Sequence, residues 1–296
     1  MSNDMGNAPP TTSMLTEDQR PEERVWCLGT DCLAQVGHYS LNMAKSRRPC
    51  FHREWEIQYI HRGQGSTFIG GTVYRFQKGC ALIVHTDEIH NDIFEQDTDF
   101  ESTEIRFLPQ VVRGRQDAMW AIDILASHHW LDLSEKDSVS LKFHLKAINE
   151  EYEMRRPHWE GSGWNHLENV LILLARTVVD GSPQESKELH FSPKIVAYVE
   201  QHLHSRLSLQ EAARDLGVCM FSLSRMFKRY VGIGFQEYII HRRMADAKAL
   251  LENTDLKVEA IARRVGFADI STFYRNFRLA TGLSPREYRK LFSQPQ

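Results

Sequence analysis

Between residues 51 and 61 apolar and polar side chains largely alternate. Phe51, Trp55, Ile57 and Tyr59 fall on one face, and Cys50, His52, Glu54, Glu56 and Gln58 on the other. That period of two predicts a β-strand with two different surfaces. Residues 67–76 predict a hairpin turning at Gly70 and Gly71, residues 80–84 a buried strand, and residues 91–95 and 101–107 two more. Many short strands separated by glycine turns point to a small barrel or sandwich over about residues 25–108.

After Pro109 the period lengthens. Residues 116–127, 138–155 and 164–180 have helical spacing, and Leu167, Leu171, Leu174 and Val178 make one apolar stripe on the last of them. The stripe can cover the chain's own strands or a second copy of the chain. Residues 182–192 are polar with Ser and Pro and are expected to link two domains; from 193 to 296 the pattern is helical throughout. Residues 1–24, rich in Pro, Thr, Asn and Asp, are expected to be a flexible tail. The fold class expected is α+β: a strand-rich front, a helical packing or dimerisation region at 109–181, and an all-α C-terminal domain.

That C-terminal third repeats itself. Residues 209–217 (LQEAARDLG) lie over 258–266 (VEAIARRVG) at an offset of 49, and after one extra residue Arg225, Phe227, Lys228, Gly232 and Tyr238 lie over Arg275, Phe277, Arg278, Gly282 and Tyr288. Each copy predicts a helix, a turn opening with glycine, and a second helix. Ala213 and Ala262 are small where two helices must approach, and Gly217 and Gly266 permit the backbone reversal between them. Leu223 with Phe227, and Phe273 with Phe277, face inward at i, i+4. Phe221, Ser224 and Arg225, and in the second copy Ile270, Ser271, Tyr274 and Arg275, are thereby turned outward. Arginine can donate twice to guanine, serine can bond several bases, and apolar groups can meet a thymine methyl, so these are the candidate base readers. Lys228, Arg229 and Arg278, one turn further on, are candidates for phosphate contact. Residues 235–252 predict one amphipathic helix of about 27 Å between the copies, able to hold two helix-turn-helix units at the pitch of one DNA turn.

Charge supports this division. The 296 residues carry a net charge of −3, yet residues 191–296 hold 17 Lys and Arg against 10 Asp and Glu, a local +7 beside −10 for the rest. A basic segment attached to an acidic one suits a polyanion binder joined to a domain with another task. The longest apolar run, 170–175, is too short for a membrane span, and the N-terminus lacks the basic start and apolar stretch of a signal peptide. A cytoplasmic protein without a membrane partner is expected. The five cysteines include no CxxC pair, so reduced thiols are the default.

The segment 193–291 resembles the DNA-binding domain of the AraC/XylS family of bacterial transcription regulators. The matching residues include Leu216-Gly217, Leu223-Ser224-Arg225, Phe227-Lys228, Gly232, Arg242, Ile261-Ala262, Gly266-Phe267, Phe273, Arg275-Asn276-Phe277, Gly282, Ser284-Pro285 and Tyr288-Arg289. Ile270 departs from the polar residues common at its position, which points to a thymine methyl and prevents a target sequence from being carried over. The resemblance implies a cupin-like sensor barrel in front, a small-molecule effector such as a sugar, double-stranded DNA and RNA polymerase as partners, and a homodimer.

The front is also similar to cupins in its motif spacing. Cys50, His52, Glu56 and Gly63 occupy the first cupin motif, and Gly79 leads to His90 in the second, where His85 and Asp87 replace the usual Pro and Gly. This resemblance makes Cys50, His52, Glu56 and His90 a candidate zinc or iron site, against the alternative of a polar pocket without metal. His52, Trp55, Glu56, Tyr59 and His90 are the candidate effector contacts. Three readings follow: a ligand-controlled regulator that is not an enzyme, a metal-dependent cupin enzyme fused to a DNA-binding domain, and a dimeric regulator without a ligand. The absence of a nucleophile elbow, an HExxH pair or a phosphate loop favours a regulator.

Overall fold

The computed structural model describes residues 24–28, 34–42, 49, 50, 52–94, 99–181 and 193–292. The expected tail, up to residue 23, and the expected linker at 182–192 lie outside them. The chain divides into two compact units, one of residues 1–69, 74–88 and 92–189, the other of residues 70–73, 89–91 and 190–296.

The described residues of the front form nine strands: β1 (Arg24–Leu28), β2 (Ala34–Asn42), β3 (Trp55–Arg62), β4 (Gln64–Ile69), β5 (Thr72–Gln77), β6 (Cys80–Val84), β7 (His90–Phe94), β8 (Asp99–Phe107) and β9 (Trp130–Asp132). They form a six-stranded sheet ordered β1-β2-β8-β3-β6-β9 and a three-stranded sheet ordered β5-β4-β7. Among the described residues the expected barrel is therefore two cupin-like sheets rather than a closed cylinder. The three-residue β9 has too few residues to show an alternation and was not anticipated.

Strand parity decides what each face of the large sheet does. Trp55, Ile57, Tyr59, Ala81, Ile83, Ile105 and Phe107 form one core with the helices α1 (Gln116–Leu125), α2 (Glu135–Met154) and α3 (Trp159–Asp180). Leu167, Leu171 and Leu174 are fully buried in that core, and Val178 packs at its edge. The apolar stripe is thus spent on the chain's own sheet, at about 1.5–3 kcal/mol per buried leucine, and is not available to a second copy. The opposite face carries Ile60, Leu82, Val84 and Phe100, which share a second core with Ile69, Phe76 and Cys80. α2 begins at Glu135, three residues before its periodicity shows, because the Ser134 hydroxyl accepts from the Asp137 amide at 3.1 Å and caps it.

The second unit is helical: α4 (Pro193–His202), α5 (Leu209–Asp215), α6 (Met220–Met226), α7 (Phe235–Asn253), α8 (Val258–Arg264), α9 (Ile270–Thr281) and α10 (Pro285–Phe292). α6 runs on into a π-helical turn over Phe227–Val231. α7, of 19 residues, is about 28 Å long.

Candidate nucleic-acid interface and sensor face

Both copies of the repeat close their first helix in the same way. In the first, the Gly217 amide donates to Arg214 at 3.1 Å and the Val218 amide to Ala213 at 2.9 Å. In the second, Gly266 donates to Arg263 at 3.1 Å and Phe267 to Ala262 at 2.9 Å. These are paired Schellman turns, with Gly217 at φ 66° and Gly266 at φ 91°. The glycines let the chain reverse, and Ala213 and Ala262, buried at the helix ends, let the second helix lie close. The second helices start differently. Asp269 accepts from the Thr272 amide at 2.6 Å and caps α9. Cys219 holds the equivalent position before α6.

The inward residues are buried as their spacing predicts: Leu223 and Phe273 entirely, and Phe227 and Phe277 to within 1%. Phe227 packs edge-on to Phe235, and Phe277 edge-on to Tyr288. Around them Phe221, Ser224, Arg225, Ile270, Ser271 and Arg275 are exposed, as are Lys228, Arg229 and Arg278. Phe221 exposes 70% of its surface, far more than a folding role for an aromatic ring requires. Tyr274 is different: it is half-buried and rests against Phe273 in the core of the helical unit. None of the five basic residues at these positions makes an ion pair among the described residues.

Other arginines of the same unit are structural, a division that composition does not reveal. Arg242 grips Glu200 of α4 with two hydrogen bonds of 3.0 and 2.9 Å. Arg243 donates from α7 to three backbone carbonyls: Leu203 at 2.8 Å, Ser205 at 2.6 Å and Gly266 at 2.8 Å. Arg289 donates to Leu256 at 2.6 Å. The clue for Arg243 is its position in the helix joining the copies, but its partners are 23 to 40 residues away and invisible to local pattern.

In the first unit Trp55 and Tyr59 belong to the core against α1–α3, on the face opposite Glu56, so parity removes them from any pocket that Glu56 lines. On the Glu56 side a polar ladder is buried. Arg106 Nε donates to Glu56 Oε2 at 2.6 Å and its Nη2 to Glu104 Oε2 at 3.1 Å, while Gln58 donates to Glu104 Oε1 at 2.9 Å. His52 Nε2 lies 3.0 Å from the same Glu56 oxygen. With Glu56 at 4% and Glu104 at 1% exposure, the Arg106 guanidinium is the countercharge that lets both carboxylates remain inside. A metal at Glu56 would have to compete with that guanidinium. His90 is buried at the start of β7, within the 89–91 segment that groups with the second unit, and Cys50 is half-buried.

Two family models match the chain: a helix-turn-helix domain over residues 212–291 and an AraC-like ligand-binding domain over residues 33–119. The transcriptional activator AarP of Providencia stuartii is 35% identical over 96 residues, 32% of this chain and 71% of AarP. The chain belongs to the AraC family. Membership makes it a DNA-binding transcription regulator with a ligand-binding domain in front, and double-stranded DNA its partner. A second relative, the helix-turn-helix-type transcriptional activator RhaS of an Enterobacter species, is 25% identical over 257 residues, 82% of this chain and 87% of RhaS. The regulatory protein PocR of Salmonella typhimurium is 31% identical over 119 residues, but this chain spans only 38% of PocR's length. No helix among the described residues is long and apolar enough to cross a membrane.

Proposed function

We propose that α6 and α9 enter two successive major grooves on one face of DNA, with Phe221, Ser224, Arg225, Ile270, Ser271 and Arg275 at base edges and Lys228, Arg229 and Arg278 on phosphates. Tyr274 contributes the exposed edge of a ring that otherwise steadies α9. The observation that carries this reading is the placement of Arg225 and Arg275, equivalent in the repeat, exposed and without ion-pair partners among the described residues, after matching Schellman turns. Groove centres on one face of B-form DNA are about 34 Å apart, a span that a braced pair of units can meet without ordering a flexible connection.

The first unit, in this reading, binds a small polar metabolite against the ladder of His52, Glu56, Gln58, Glu104 and Arg106. Alternating donors and acceptors in a dry site suit a hydroxyl-rich molecule such as a sugar, because an apolar competitor would leave those groups unpaired. Binding shifts the population of arrangements in which both reading helices, in one chain or in a homodimer, engage DNA and RNA polymerase is recruited. The polar ladder already has an internal countercharge, which favours this role over metal-dependent catalysis.

Hydroxyl-radical and methylation-interference footprints on a selected operator, with and without candidate sugars, test the proposal. Protection in two adjacent major grooves about one turn apart is expected, with occupancy changing on effector addition. Protection of a single groove would overturn the docking, and an unchanged footprint across a broad metabolite panel would overturn the sensor.

A further inference from the structure

The turn after β6 holds a group of side chains that neither the DNA-binding surface nor the polar ladder uses. His85 and Glu88 belong to that turn, at positions flanking Asp87, and His129 immediately precedes β9. The Ile83 amide donates to the His129 carbonyl at 2.9 Å, and Leu82 pairs with Trp130, so the main chain sets the two segments side by side. One ligand-type atom from each of His85, Glu88 and His129 lies within 4.8 Å of the other two.

We propose that His85, Glu88 and His129 form a binding site for one divalent transition metal of the zinc class. The group is separate from the cupin motif positions at Cys50, His52, Glu56 and His90. His85 is the residue that stands where that motif ordinarily has proline, and Asp87, at φ 61°, adopts the backbone that glycine ordinarily supplies there. The turn therefore keeps its shape while carrying two donors.

Hydrogen bonds set the chemistry of each donor. His85 Nε2 faces the Leu125 carbonyl at 3.1 Å, and since a carbonyl only accepts, that nitrogen carries the proton. Whenever the ring is neutral, Nδ1 is therefore the acceptor, 3.4 Å from Glu88 Oε2. Two acceptors face one another, an arrangement that a cation between them relieves. His129 Nδ1 is 3.5 Å from the same carboxylate oxygen and 3.0 Å from the Ile83 carbonyl. Coordination there exchanges the Ile83 hydrogen bond for a metal bond. A tetrahedral ion with bonds of about 2.0 Å places its ligands about 3.3 Å apart, and the two distances to Glu88 are within a few tenths of that.

The surroundings complete the site. The backbone amide of His85 donates to Glu88 Oε2 at 2.9 Å and fixes the carboxylate. Trp55 stands against His85 with ring centres 4.6 Å apart, and Tyr74 against His129 at 5.8 Å. The Leu125 carbonyl, bonded to the ring nitrogen of His85 that does not face Glu88, is the kind of outer partner that orients histidine in metal sites. Two imidazoles and one carboxylate favour zinc-like ions over magnesium or calcium, which take mainly oxygen. A bound ion would tie the end of β6 to the start of β9 and, through the Leu125 carbonyl, to the end of α1.

Tag-free, chelator-treated full-length protein titrated with zinc by calorimetry, and with cobalt by optical absorption, tests the site. One equivalent per chain is expected, with the intense visible bands of four-coordinate cobalt. His129→Ala and Glu88→Gln are each expected to weaken binding by more than about 100-fold, beyond the loss an outer partner produces, whereas His52→Ala keeps it. X-ray absorption of the zinc-loaded wild type, which needs no variant to fold, is expected to show two imidazoles and oxygen donors. No stoichiometric binding, binding that survives His129→Ala but not His52→Ala, or a shell with sulfur or a single imidazole would each overturn the proposal.

Discussion

Arg243 on α7 donates to the carbonyl of Gly266 at 2.8 Å, joining the helix that spans the repeat to the turn inside its second copy. The same guanidinium reaches Leu203 and Ser205, ahead of the first copy, so one side chain registers both helix-turn-helix units against their brace. Arg243→Ala leaves three carbonyls to find water and is expected to cost about 2–3 kcal/mol, the scale of hydrogen bonds from a charged donor. Arg243→Lys is expected to recover little, since an ammonium cannot fork to three acceptors. Thermal denaturation of the full chain measures the stability loss. Affinity for an operator with two half-sites is expected to fall more than affinity for a single half-site.

The two turn glycines separate backbone strain from crowding. Both have positive φ, so either alanine substitution carries about 1–2 kcal/mol of left-handed strain. A Cβ at Gly217 meets nothing within 4 Å, whereas one at Gly266 would sit 2.9 Å from the His204 carbonyl oxygen and 2.9 Å from the Arg243 guanidinium carbon. Gly266→Ala is therefore expected to destabilise clearly more than Gly217→Ala in paired urea denaturations. Equal losses would show that the second turn relaxes around the methyl group.

The repeat is legible because its grammar is local: a small residue, a glycine four positions on, and apolar pairs at i, i+4 are fixed by one helix and one turn. Strand parity was equally local, and it separated Glu56 from Trp55. It did not say which face the helices would cover. That depends on where α1–α3 pack, and it is why Trp55 and Tyr59 are core while the polar face also lies inside. Arg243 with Gly266, and His129 with Glu88, escaped because residues so far apart in sequence are joined only by the tertiary fold. Tyr274, placed outward by periodicity, is half-buried because its ring is large enough to lean back onto Phe273.

Base and phosphate contacts are expected to respond differently to mutation. Arg225→Ala and Arg275→Ala are each expected to cost about 1–3 kcal/mol of operator binding and to relax preference at one base position. Lys228→Ala is expected to weaken binding to all sequences alike and to lower the salt slope by about one. Anisotropy titrations across base-substituted operators and several salt concentrations distinguish these. A uniform loss in all three variants would contradict the assigned roles.

The second unit should lose stability in mild acid through His241. Burial holds this ring below its ordinary value of 6.5, with nearby Lys248 adding to the effect and Glu237 opposing it. The folded state keeps the ring neutral while the unfolded chain takes up a proton. The stability is thus fully present above 6.5 and declines as pH falls toward the depressed folded value. The limit is about 1.4 kcal/mol per pH unit for one group. His241→Gln is expected to flatten part of the decline in urea midpoints between about pH 7.5 and about pH 5.5. An unchanged slope would assign the decline to other groups.

Two cysteines report on the reading helix and the sheet. Cys219 precedes α6, is exposed, and is held below the ordinary thiol range by the amides of Ser222 and Phe221. Cys80 is fully buried in the second core, and burial pushes its thiol up to about 11. Since the thiolate is the reacting form, iodoacetamide near neutral pH is expected to label Cys219 rapidly and to leave Cys80 unmodified until the first unit unfolds. Operator DNA should slow labelling of Cys219 if α6 enters the groove by its N-terminal end, and mass spectrometry of the labelled peptides follows both sites at once. Labelling at the same rate with and without operator would place the start of α6 away from DNA. Cys80 reacting before unfolding would mean that the sheet opens in the native state.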